Sequence, residues 1–366
     1  MKISCSQKNI QKASMLIEKI TGKNPALPIL NATLLLAQDK SLYLISTNLE
    51  MALEVVIPSK IEKEGKIAIP AKIFSNLLSS LLDNNLNFEN KNDNLIVTTD
   101  TSSTTIKGYP VDDFPIIPKT KEKKSFTVSV FDFINGLKSV YYSSSLSDIK
   151  PELNSVFVYS FKSTPMSFVA TDSFRLAEKN IPYSFSDNPN FLIPYRSVVE
   201  ILRIFEEQEG DLKISLDDNN IVLVCNNIKF TSRLTGGVFP DYKQIIPTKF
   251  VSTATIHKKQ FIESLRTAGM FCGKLNEVKV RIYGGENFIE IQTNNSDLGE
   301  HSVTIPAKTE GEDLIMMFNY RYLMDCLGFI NSDQILFKFN GEGRPLLITG
   351  LTDSSFVYLI MPMKDM

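Results

Sequence analysis

Two hydrophobic rhythms alternate along the chain in a fixed order. A short alternating segment at residues 2–6 leads into a stripe of Ile10, Ala13, Ile17 and Ile20, spaced 3, 4 and 3. That spacing puts the four on one face of a helix. Alternating segments near 126–130 and 252–256 are followed in the same way by Phe133, Leu137 and Val140, and by Phe261, Ile262, Leu265 and Ala268. Residues 32–37, 41–46 and 52–57 alternate and are rich in Val, Ile and Leu, which predicts strands. A second helix is predicted after Pro70, then strands at 86–89, 95–98 and 103–107. Strand, helix and strands, twice over, predict an α+β layered domain with helices on one face and antiparallel sheets on the other.

The whole pattern recurs. Ile69 opens IPAKIFSNLL, Ile193 opens IPYRSVVEIL and Phe318 opens FNYRYLMDCL, at spacings of 124 and 125 residues. A basic residue, Lys72, Arg196 or Arg321, holds the fourth position of each. The strand ends at Thr47, Thr171 and Thr293 are each followed by Asn or Asp, at spacings of 124 and 122. Pro115, Pro240 and Pro362 follow at 125 and 122. Three signals in one register mean three tandem homologous domains, because a period this long exceeds a solenoid unit. The boundaries are expected in the charge run at 119–124 and near 247–251, giving domains 1–123, 124–249 and 250–366.

Composition narrows the chemistry. Apolar residues make up 43% of the 366, enough for real cores, and no apolar run reaches the length of a membrane span. The first ten residues lack the apolar core of a signal peptide, so a cytoplasmic protein is expected. Cys5, Cys225, Cys272 and Cys326 are scattered and expected to stay reduced. With two histidines, His257 and His301, a zinc site or a Ser–His–Asp triad is poorly supplied. There is no phosphate-binding glycine loop, and Asp112 and Asp113 read as turn residues before Phe114. No catalytic residue, metal or cofactor is expected.

Net charge is −2, so any contact with nucleic acid must use a locally basic surface. The predicted helices supply one. Lys8, Lys12, Lys19 and Lys23 go with the first, Lys72 with the second, Lys138 with the third, and Arg196 and Arg203 with the fourth. Lys258, Lys259 and Arg266 belong to the fifth, and Arg321 to the sixth. One such lysine is ordinarily just a solvated helix face. Equivalent basic helices in three tandem domains suit a lining around a polyanion, which a broad positive surface attracts without reading bases.

Particular residues also carry a family resemblance. ATDSFRLA from Ala170 resembles a signature of the bacterial DNA polymerase III beta subunits. LPIL from Leu27, NLEM from Asn48, FPDY from Phe239 and MPM from Met361 resemble that family in the same order, over the whole chain. The resemblance implies a sliding clamp: a head-to-tail homodimer closing three clamp domains per chain into a pseudo-sixfold ring around double-stranded DNA. It implies DNA-facing Lys12, Lys23, Lys72, Lys138, Lys150, Arg196, Arg203, Lys259, Arg266 and Arg321. It implies a dimer contact at the edge strand around Ile106, plugged by Met270 and Phe271.

A pocket for short peptide motifs is implied as well, with walls at Leu153, Thr171, Arg175, Leu176, Pro240, Ile245, Asn319, Tyr322, Pro345, Leu359, Ile360, Met361, Pro362 and Met363. Its expected partners are the DNA polymerase III alpha subunit, the ATP-dependent clamp loader and other proteins with such motifs. Taken alone, Leu153, Leu176 and Ile245 read equally as plain core. Ser173 and Phe174 stand where the family usually has Gly and His, Asn24 where it often has arginine, and Lys364 where arginine often follows the terminal MPM. The rival readings are an enzyme, disfavoured by the missing catalytic constellations, and a scaffold that forms no ring, which solution mass distinguishes from a dimer.

Overall fold

The computed structural model describes residues 1–22, 27–117, 123–161 and 164–364, so Lys23, Asn24 and most of the charge run at 119–124 lie outside the described residues. Six α-helices are described: α1 (Gln7–Glu18), α2 (Ala71–Ser80), α3 (Val130–Val140), α4 (Tyr195–Phe205), α5 (Lys258–Gly269) and α6 (Tyr320–Leu327). The chain divides into two compact units, residues 1–134 with 196–234 and residues 135–195 with 235–366.

In the first unit a five-stranded antiparallel sheet begins at Lys60–Lys63. It runs through Lys2–Ser6, Asn85–Lys91 and Asn94–Thr98 to an outer strand, Ser103–Lys107. An eight-stranded sheet accompanies it, and its middle joins two sequence repeats. Ile228–Arg233 pairs antiparallel with Met51–Pro58, with Phe230 opposite Leu53. In the second unit a twelve-stranded sheet does the same: Arg175–Ile181 pairs with Phe356–Ile360, with Leu176 opposite Leu359. Pairing across repeats fills edges that would otherwise present unpaired backbone groups.

The helical stripes land where their spacing puts them. Ile10, Ala13 and Ile17 of α1 are buried against Ser41–Thr47 and Met51–Pro58, and Ile20 is buried just beyond the helix. Phe133, Leu137 and Val140 of α3 are fully buried, as are Phe261, Leu265 and Ala268 of α5, while Ile262 is only half-buried. The helices also pack in pairs, α1 on α2 and α5 on α6.

The repeated Thr-Asn/Asp has a local cause. Thr47 Oγ1 donates to Met51 O, and Asn48 Oδ1 accepts from the amides of Glu50 and Met51. Thr171 Oγ1 donates to Arg175 O, and Asp172 Oδ1 accepts from the amides of Phe174 and Arg175. Each pair closes a tight turn between strands by standing in for backbone partners. In the third repeat the turn slips by one residue: Asn295 Oδ1 accepts from Asp297 and Leu298, and buried Thr293 Oγ1 has no partner among the described residues.

These turns force a left-handed residue after the Asx, and neither copy uses glycine there. Leu49 has φ 77° and Ser173 has φ 76°. Strain of this kind costs about 1–3 kcal/mol, partly offset by the extra unfolded-state freedom of glycine. Ser173→Gly is expected to stabilise the chain by about 1 kcal/mol, read as a higher midpoint in thermal or urea denaturation. A lower midpoint would show that the seryl side chain contributes more than the strain costs.

Candidate functional site

The turn at Ser173 forms one rim of a cleft of about 510 Å³ in the second unit. Its floor comes from the strand pair Arg175–Ile181 and Phe356–Ile360, where Leu176 and Leu359 face each other in a buried cluster with Leu347, Tyr159, Phe239 and Tyr242. Ile246 and Phe250 pack on the edge of that cluster. The segment after Tyr242 gives one wall through Gln244, Ile245, Ile246 and Pro247, and the loop before Leu346–Gly350 gives the other through Asn340, Gly343, Arg344 and Pro345. Ile245 is 51% exposed, an unusual cost for a large apolar residue unless something covers it.

Arg175 anchors the inner end. Its Nε donates to Asp172 Oδ2 at 3.0 Å, its Nη1 reaches Asp325, and its Nη2 donates to the carbonyl of Tyr142. The guanidinium lies 4.1 Å from the ring centroid of Tyr322 and 5.6 Å from that of Tyr142. Burial works against its charge, yet the nearby Tyr358 hydroxyl and the two carboxylates raise its pKa above the ordinary arginine value. Burial pushes the Tyr142 and Tyr358 phenols well above their ordinary range. The cluster is thus a fixed, neutralised wall with cation–π stacking, suited to shaping a cleft rather than moving protons.

Seven of the expected pocket residues line the cleft: Thr171, Arg175, Leu176, Ile245, Pro345, Leu359 and Met361. The others are placed around it. Tyr322 backs the Arg175 cluster, and Asn319 caps α6 by accepting from the Arg321 amide at 3.0 Å. Leu153 is buried, whereas Pro240 is exposed on the segment leading to Tyr242. Ile360 is fully buried and, by strand alternation, points to the face opposite Leu359, away from the floor. The tail is stitched beside the cleft: the Met361 amide donates to Phe174 O and the Met363 amide to Met317 O, both at 2.8 Å, with Pro362 half-buried between them. Phe174 is 63% exposed on the rim turn. The sequence reading missed Gln244, Ile246, Pro247, Asn340, Gly343 and Arg344; the glycine and proline punctuation of the 340–345 loop was the available signal.

The expected DNA-facing residues inside the described chain, Lys12, Lys72, Lys138, Lys150, Arg196, Arg203, Lys259, Arg266 and Arg321, are all exposed. Neighbouring cations have local work. Lys19 Nζ donates to the carbonyl of Arg203 near the end of α4, and Lys258 Nζ to the carbonyl of Ile330. The helix faces are not purely basic either, since Met15, Ile73 and Phe131 are exposed on them. Of the expected dimer residues, Met270 is 67% exposed and Phe271 stacks on His301 with centroids 5.6 Å apart. Ile106 lies in the outer strand Ser103–Lys107, but its side chain fills the core, so only its backbone edge is open to a partner.

Burial pushes the Cys5 thiol up to about 12 and the Cys272 thiol up to about 11, away from nucleophilic thiolate chemistry. Among the described residues no group of His, Cys, Asp and Glu could hold a metal ion, and no helix is long and apolar enough to cross a membrane.

Residues 1–118, 127–241 and 243–364 match the family models of the N-terminal, central and C-terminal domains of the DNA polymerase III beta subunit. The chain is 26% identical to the beta sliding clamp of Synechocystis, covering 100% of this chain and 99% of that one. It is 24% identical to the beta sliding clamp of Staphylococcus aureus, covering 94% of each. The structure of the Bacillus subtilis DNA polymerase sliding clamp superposes with a TM-score of 0.95 at 24% identity over the full length of both chains. The Pseudomonas aeruginosa sliding clamp bound to griselimycin superposes at 0.93 and 23%, again over both full chains. The chain therefore belongs to the DNA polymerase III beta subunit family, the beta sliding clamps, which are non-catalytic processivity factors of DNA polymerase III.

Proposed function

We propose that two copies of this chain close head to tail into a ring around duplex DNA, with the helices inside. Each chain contributes three domains, 1–123, 124–249 and 250–366. The observation that carries this reading is the recurrence of one exposed cation. Lys72, Arg196 and Arg321 occupy the same position in the three repeats, each in the first turn of a helix and each facing solvent. Lys12, Lys138, Lys150, Arg203, Lys259 and Arg266, together with Lys23, extend that surface. Two strand edges support closure. Among the described residues, Ser103–Lys107 is paired on one side only, and residues 299–306 of the long strand Gly299–Gly311 have a partner only at 288–295. Pairing the first edge with the second from another copy would place Ile106's backbone in the ladder, with Met270 and Phe271 of the other copy close by.

The cleft takes a short peptide with apolar anchors. Peptides of the DNA polymerase III alpha subunit, of the ATP-dependent clamp loader and of other proteins bearing such motifs are its proposed occupants. Work on the nucleoid, in the cytoplasm, fits these partners.

Spread-out cations on a chain of net charge −2 give weak, sequence-blind contact, so retention must come from encirclement. Fluorescence anisotropy with short linear duplexes of different sequence is expected to show weak binding that salt abolishes. Tight, sequence-selective binding to such duplexes would overturn the proposal.

A further inference from the structure

We propose that Arg344 makes the cleft selective for peptides that carry an acidic side chain beside their apolar anchors. The inference rests on the peptide-binding reading of the cleft and names the chemistry of its occupant. Among the described residues, two cations and no carboxylate line the cleft. Their situations differ. Arg175 is already compensated by Asp172 and Asp325 and is 12% exposed at its side chain. Arg344 is exposed and has no ion pair with any described residue. Asp241, close in sequence to the opposite wall, accepts from Gln244 Nε2 at 2.7 Å, and exposed Glu342 does not line the cleft.

The loop holds Arg344 in the cleft wall. Gly341 and Gly343 take left-handed φ values of 112° and 66°, conformations that admit glycine readily, and the Arg344 amide donates to Gly341 O. An added Cβ at Gly341 would touch Arg344 Cγ at 3.9 Å, so the arginine stem lies along its own turn. Arg175 is opposite Ile360, and Ile360 is opposite Leu346. Leu346, two residues after Arg344, therefore stands two strand spacings from Arg175, about 10 Å across the sheet. A short extended peptide whose apolar side chains meet Leu176 and Leu359 would pass beside the 340–345 loop that lines the same cleft. An aspartate or glutamate on its Arg344 side would meet a forked donor next to apolar walls, where a charge-assisted pair is strong. Lysine at this position would not supply the fork.

The test uses the full-length protein and amidated, fluorescein-labelled six-residue peptides. Two positions are fixed as leucine and phenylalanine, and each remaining position is scanned as Asp against Asn. Amidation removes the terminal carboxylate as a second source of negative charge. One position is expected to favour Asp by roughly tenfold on the wild type. Arg344→Gln removes that preference, so that Asp and Asn peptides bind alike, with the melting temperature unchanged, and Arg344→Lys keeps it only in part. Equal binding of Asp and Asn peptides at every position overturns the proposal while the cleft still binds peptide. A preference that persists in Arg344→Gln assigns the selectivity to another group and overturns it too. If no peptide binds the wild type, the peptide-binding reading itself falls, and this inference with it.

Discussion

Replacing Phe271 with glutamate is expected to convert the protein from dimer to monomer in sedimentation velocity. The residue directly follows exposed Met270 at the end of α5, and its ring stacks on His301 with an interplanar angle of 13°. His301 sits in the part of Gly299–Gly311 whose outer edge is unpaired among the described residues. Closing a partner strand on that edge would take the carboxylate out of water beside the His301 ring. An unpaired charge of this kind costs about 3 kcal/mol or more, which weakens the dimer by over a hundredfold. Losing the ring stack costs the monomer only about 1 kcal/mol, so circular dichroism should remain that of a folded chain. A variant that still sediments as a dimer would remove Phe271 from the interface.

Deleting residues 361–366 is expected to abolish binding of the polymerase and the clamp loader while the fold survives. The deletion removes Met361 from the cleft wall and two backbone hydrogen bonds, to Phe174 O and Met317 O. Each such bond contributes about 1 kcal/mol, so the melting temperature should fall by a few degrees only. Removing a buried apolar anchor from a peptide interface typically costs more than about 2 kcal/mol, or roughly thirtyfold in affinity. Titration of one labelled peptide against both forms decides the question. Equal affinity would take the tail out of the site.

Much of the local architecture was legible because the hydrophobic spacing is itself the cause of the helix faces. Ile10, Ala13 and Ile17 are buried because i, i+3, i+7 positions share one side of a helix. The Thr-Asx repeat was visible as a pattern, and its meaning as a hydrogen-bonded turn emerged only with Thr171 and Asp172 in place. Strand partners across repeats were not legible. Nothing in Ile228–Arg233 states that its neighbour is Met51–Pro58, since pairing is decided by distant side chains meeting on a shared face. Ile106 and Ile360 illustrate the limit at single residues. Their positions followed from the family pattern, while alternation turned both side chains into the core. Arg344 was missed because a loop held by two left-handed glycines has no periodicity to read.

In the proposed ring the protein holds DNA by topology. Loading the purified protein with its clamp loader and ATP onto nicked circular DNA, then separating bound from free by gel filtration, measures this directly. The protein is expected to co-elute with the circle through moderate salt, and to be lost when a single cut linearises the same DNA. Retention that is equal on circular and linear DNA would contradict encirclement and replace it with ordinary surface binding.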